Sequence, residues 1–96
     1  MNRRAVFRFR LYVARDARNS VDAVENLMAI CRKYLPGRYD IEVMDVFVEP
    51  LRALADGIFM TPTLIKLAPV PGRRIVGALS HTELVLRTLG LDTTDA

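Results

Sequence analysis

Groups able to do nucleophilic or metal chemistry are sparse in this chain. Cys31 is the single cysteine and His81 the single histidine among 96 residues. One cysteine excludes an intramolecular disulfide and a cysteine-only zinc site. A lone histidine is too few donors for a metal centre, and Asp16, Asp22 and Asp45 are too dispersed to form a carboxylate site. Asp45, at the end of an apolar run, reads as a hydrogen-bonded strand-end carboxylate. The five glycines are isolated at turn-like places, so no loop is built to cradle phosphate. What the chain has in quantity is arginine. Twelve of its 14 basic residues are Arg, and Lys33 and Lys66 are the other two. Six of the arginines (Arg3, Arg4, Arg8, Arg10, Arg15 and Arg18) fall in the first 18 residues against Asp16 alone, a local charge of +5, while residues 19–96 carry −2. The planar guanidinium fork suits carboxylates and phosphates, which points to an anionic partner. An Arg-preferring, GC-rich genome accounts for the same bias equally well.

The elements that would position these groups follow from periodicity. Hydrophobic residues make up 51% and charged residues 26%, the balance of a folded globular protein. No apolar run reaches the ~18 residues of a membrane span. The Phe–Arg alternation after Met1-Asn2-Arg3-Arg4 lacks the continuous apolar stretch of an export signal, so a cytoplasmic protein is expected. The length predicts one domain over 1–96, with its core at about 6–91. Val6 to Ala14 alternates with a period of two: Phe7, Phe9, Leu11 and Val13 face a core, and Arg8, Arg10 and Tyr12 face the other way, with the Arg heads in water. A helix follows, capped by Asn19 or Ser20, with Val21, Val24, Leu27, Met28, Cys31, Tyr34 and Leu35 as its buried stripe and Pro36-Gly37 as its stop. Asp40 to Val48 is apolar on both faces and predicts an internal strand, parallel to the first. Pro50 opens a short helix that ends near Asp56 at Gly57. Leu64 to Ala68 and Arg73 to Leu79 predict an antiparallel pair joined by the Pro69–Gly72 turn. Ser80 and Glu83 form a capping-box pattern before a last helix closed by Gly90.

This order, βαβ-α-ββα, is that of an α/β, thioredoxin-like fold, with Thr61-Pro62-Thr63 where that fold carries a cis-proline. Enzymes of this fold hold two cysteines in the loop after the first strand. Here the loop reads Arg15-Asp16-Ala17-Arg18, and Cys31 lies about three helical turns beyond it. The redox CxxC is missing, and Cys31 reads as core filler. A thiol-redox protein using Cys31 is the second reading. A single-strand nucleic-acid binder is the third, and it is disfavoured because Phe7 and Phe9 point away from the arginines they would need beside them.

Leu11-Tyr12-Val13-Ala14, Asn19-Ser20-Val21, Glu42-Val43-Met44-Asp45-Val46, Thr61-Pro62-Thr63-Leu64, Pro69-Val70-Pro71 and Arg73-Arg74-Ile75-Val76-Gly77 occur in the order and spacing of the bacterial KaiB clock family. From about residue 6 to 91 the chain resembles that family. The resemblance implies a non-catalytic protein with no cofactor and no metal. It implies binding to a KaiC-like ATPase and modulation of its phosphorylation or signalling state, without nucleic acid or membrane. It also implies a second, ground-state fold in which the second half is rearranged and the chain assembles into dimers or tetramers. For a paralogue outside photosynthetic bacteria the resemblance implies a link to stress adaptation rather than to a self-sustained rhythm. On this basis Arg10, Tyr12, Arg15, Arg18, Asp22, Arg73 and Arg74 are candidate partner contacts, and Thr61, Pro62, Thr63, Gly77 and Ala78 the candidate fold-switch region. Three departures stand out. The family's Gly and Pro in the first loop are absent, Asp22 replaces a basic residue, and Ala78 replaces an Asp.

Overall fold

The computed structural model describes residues 5–91. Seven elements follow in order: β1 (Phe7–Val13), α1 (Arg18–Tyr34), β2 (Tyr39–Asp45), α2 (Pro50–Ala55), β3 (Thr63–Ala68), β4 (Arg73–Val76) and α3 (Thr82–Leu89). The four strands form one sheet in the order β2-β1-β3-β4. β1 runs parallel to β2 and antiparallel to β3, and β4 returns antiparallel to β3.

The period of two in β1 sorts its side chains as the sequence predicts, but both sorted sets are covered. Phe7, Phe9, Leu11 and Val13 enter the larger core with Ala23, Leu27, Ile30, Cys31 and Leu35 of α1 and its end, Leu64 of β3, and Val85, Leu86 and Leu89 of α3. On the opposite face Tyr12 packs with Met44, Ala53 and Ile65, and α2 lies over them. The molecule is therefore three layers, with α1 and α3 on one side of the sheet and α2 on the other.

Several expectations change. β2 is an edge strand ending at Asp45, not an internal strand reaching Val48. Its second apolar set has no neighbouring strand, so Val43 is half exposed, and Phe47 and Val48 fall in an exposed turn. α1 begins at Arg18 with no side-chain cap. Ser20 is buried one turn in, where its Oγ accepts the Ala14 N–H at 3.0 Å. That tie and the small Ala23 turn the helix so that Val21 is exposed and Ile30 buried. Small side chains let the helix approach the sheet closely, a preference that a hydropathy pattern ranks low. β4 ends at Val76 rather than Leu79: the Gly77 N–H still donates to Pro62 O at 2.9 Å, but Pro62 has no N–H to return, and Gly77 turns the chain at φ 119°. The capping box is not formed. His81 is the N-cap of α3 and makes no side-chain cap bond. Gly90 closes α3 in the left-handed region at φ 80°, which a residue with a Cβ reaches only with strain.

Leu27 lies in the larger core and Val21 on the exposed side of the same helix. Leu27→Ala is expected to lower unfolding free energy by about 2–5 kcal/mol in denaturant melts, and Val21→Ala by less than about 0.5 kcal/mol.

Candidate functional site

The end of the sheet formed by the carboxyl ends of β1 and β2 gathers most of the sequence-predicted residues. Val13 pairs with Asp45, and Tyr12 pairs with Thr63, so the β1–α1 turn, the β2–α2 turn and the start of β3 adjoin one another. In a thiol oxidoreductase of this topology the attacking sulfur would sit in the β1–α1 turn. Here Arg15 occupies it, exposed and held at a positive φ of 51°. Its guanidinium lies 5.3 Å from the centre of the exposed Phe47 ring, within cation–π range. Arg18 opens α1 and is exposed, and Asp22 is half-buried one turn further on. Asp45 is a strand-end carboxylate as expected, its Oδ1 accepting the Phe47 N–H at 2.8 Å and shaping the turn.

Tyr12 and Arg10 are placed otherwise than expected. Tyr12 is wholly buried, so it is not a surface contact in this fold. Its hydroxyl donates to Asp56 Oδ2 at 2.6 Å. Burial, and then this bond, push its pKa up. Arg10 does not hold its head in water. Its Nε donates to Glu42 Oε1 at 2.8 Å and its Nη1 to Asp56 Oδ2 at 3.0 Å. Both carboxyls are held below their usual range: Asp56 by the Tyr12 hydroxyl and then Arg10, Glu42 by the Arg10 hydrogen bond. Arg74 reaches across from β4 to donate to Asp56 O and to Gly57 O, the latter at 3.4 Å. Arg73 is exposed and donates to the adjacent Gly72 O at 2.9 Å. Arg3 and Arg4 lie outside the described residues.

The two halves of the candidate fold-switch region meet in space. The Thr61–Pro62 bond is cis, as are Ala68–Pro69 and Val70–Pro71. Pro62 O takes the Gly77 N–H, Thr63 Oγ1 donates to Met60 O at 2.6 Å, and Ala78 O takes Asn26 Nδ2 at 2.7 Å.

Three features escaped the sequence reading. The Glu42–Arg10–Asp56–Tyr12 network needs strands and a helix that are far apart in the chain. Lys66 is only 4% exposed, its Nζ donating to Leu89 O at 3.1 Å and lying 5.6 Å from the Phe7 ring centre. Burial lowers its pKa. Its place in Thr63–Ala68, in step with Leu64, was the available signal. The third feature is a group of exposed apolar side chains on α2 and both its flanks: Phe47, Val48, Leu51 (78% exposed), Leu54, Phe59 (87%) and Met60. Apolar groupings of this kind mark interaction surfaces.

The residues of the other two readings, Cys31, Phe7 and Phe9, are buried. Cys31 is fully buried in the larger core, and burial pushes its thiol up to about 11. Phe7 and Phe9 are buried together, 6.1 Å between ring centres, and offer no stacking platform. Among the described residues no three His, Cys, Asp or Glu side chains cluster as metal ligands.

A family profile described as the KaiB domain matches residues 10–91. The chain belongs to the KaiB family. It is 45% identical over 83 residues to the circadian clock protein KaiB3 of Synechocystis sp., covering 86% of this chain and 79% of that protein. It is also 45% identical over 89 residues to the circadian clock oscillator protein KaiB of Thermosynechococcus vestitus, covering 93% and 81%. The fold resembles the N-terminal domain of SasA from Synechococcus elongatus, with a TM-score of 0.72 at 17% identity over 96% of this chain and 90% of that one. It also resembles chloroplastic thioredoxin z, with a TM-score of 0.71 at 18% identity over 91% and 81%. The likeness to thioredoxins is one of fold. The role that goes with family membership is that of a KaiB-like clock regulatory protein.

A buried thiol titrating near 11 is neither ionised nor reachable at neutral pH. Cys31 is therefore expected to resist a thiol-reactive probe such as DTNB at pH 7 and to react stoichiometrically in denaturant. Rapid labelling of the native protein would contradict this placement.

Proposed function

We propose that this KaiB-family chain is a non-catalytic adaptor that docks on a KaiC-like ATPase and modulates its phosphorylation or signalling state. The observation that carries the reading is the end of the sheet where a redox enzyme would hold its thiols. It presents Arg15 stacked on Phe47, with further exposed apolar side chains beside them along α2. An exposed aromatic paired with arginine is the residue chemistry of binding hot spots. Arg15, Arg18 and Asp22 are the proposed direct contacts, with Arg73 as a more distant one. Arg10, Tyr12 and Arg74 contribute from beneath, by holding β1, β4 and α2 together. A cytoplasmic location and reading 1–96 as one domain accord with this role.

We also propose that the chain self-associates into dimers or tetramers in a second arrangement of its second half. The contacts Pro62–Gly77 and Asn26–Ala78 would have to break for that exchange.

Arg15→Glu combined with Arg18→Glu is expected to weaken capture of the cognate KaiC-like ATPase by about tenfold or more without lowering thermal stability. Capture unchanged by the double substitution would remove this surface from the proposal. Phe47→Ala is the apolar counterpart, with a similar expected loss. For the second arrangement, sedimentation across protein concentrations is expected to show dimer or tetramer, and a monomer at every concentration would exclude it.

A further inference from the structure

Four elements meet around Asp56, two of them, α2 and β1, at its carboxylate. Asp56 is the C-cap of α2. Its Oδ2 accepts both the Tyr12 hydroxyl and Arg10 Nη1 from β1. Arg74 of β4 donates to the backbone carbonyls of Asp56 and Gly57. Glu42 of β2 holds Arg10 Nε through Oε1, and its Oε2 takes Arg52 of α2 at 3.4 Å.

The apolar attachment of α2 is thin by comparison. Ala53 is the single buried residue of this six-residue helix, and Leu51 and Leu54 point outward. A helix of that length has no stability of its own, and one buried methyl group holds it only weakly. The polar network is therefore the larger part of what fixes α2 on the sheet.

We propose that Asp56 is a charge latch: its carboxylate holds α2 against the sheet, and its release lets α2 lift as a unit while β1, β3 and α1 stay folded. The latch decides whether the apolar side chains on and around α2 stand as a fixed surface, so it goes beyond the identity of any partner docking there.

The latch also carries a sign with pH. The charged and titratable groups facing Asp56 are Arg10 and Tyr12 from β1, Arg74 from β4, Arg52 within α2, and Glu42 through Arg10 from β2. The Tyr12 hydrogen bond and the arginines favour the ionised carboxyl, which is held below its ordinary value. The stabilisation is complete above that ordinary value and is lost as pH falls through the depressed one. The latch is closed at neutral pH and opened by acid.

Native-state hydrogen exchange tests this on the amides that secure α2: Ala53 on Glu49 O, Asp56 on Arg52 O, Gly57 on Leu54 O and Ile58 on Ala53 O. In the wild type these amides are expected to exchange through an opening that denaturant barely promotes, distinct from the steep denaturant dependence of β1 and β3 amides. Asp56→Asn is expected to populate that shallow opening about tenfold or more, and Tyr12→Phe several-fold. Lowering the pH should increase the opening in the wild type and do so less in Asp56→Asn. The latch is overturned if α2 amides share the denaturant dependence of the β1 and β3 amides. It is equally overturned if Asp56→Asn leaves the shallow opening unchanged. Tyr12→Phe removes one hydroxyl from an otherwise intact site, so the test holds even where Asp56→Asn does not fold.

Discussion

The central strand is the constraint on which this molecule is built. β1 has β2 on one side, β3 on the other, and helices over both faces. Its backbone groups are satisfied on both sides by neighbouring strands. Its side chains must then supply two different interiors from one alternation. The Phe7, Phe9, Leu11, Val13 set meets α1 and α3, where apolar area is plentiful. The set containing Arg10 and Tyr12 meets only the six-residue α2. An arginine under a helix cannot be left unpaired, because removing a cation from water without a partner is strongly unfavourable. Glu42 and Asp56 supply that partner, and the second layer follows from their placement.

The same geometry bears on the docking surface proposed for this thioredoxin-shaped molecule. The β1–α1 turn is where the topology exposes a reactive group, and this chain puts an arginine there. The one thiol sits deep in the opposite layer, and its depressed acidity follows from burial alone. What the end of the sheet offers instead is charge next to exposed apolar area, which is the chemistry of recognition. The structural likeness to the SasA domain and to thioredoxins reflects a shared scaffold, and at under 20% identity it says nothing of chemistry.

Lys66 shows the opposite placement of a charge. It rises from β3 into the larger core and ends on the last carbonyl of α3. The carboxyl end of a helix carries unpaired carbonyls and partial negative charge, so an ammonium there satisfies both needs. The Phe7 ring on its flank adds a cation–π contact. A single side chain thus joins β3, β1 and the end of α3.

Much of this was legible in the chain itself. The order of elements, the alternation in β1, the parallel β1–β2 pair, the stops at Gly57 and Gly90 and the absence of thiols from the first loop are local properties, carried by residues a few positions apart. Strand order and layer assignment are not local. Val43 looks internal until β2 is seen to lie at the edge, and Tyr12 looks outward until α2 is seen to cover it. Ser20 and Ala23, small and unremarkable in a hydropathy pattern, orient α1 because close approach to the sheet selects for small side chains. Asp56 lies 46 residues from Arg10 and 44 from Tyr12, and no periodicity links such positions. The sequence by itself determined which faces exist and which chemistry is missing. The tertiary structure decided which faces meet water, because burial depends on what the rest of the chain brings to lie over them.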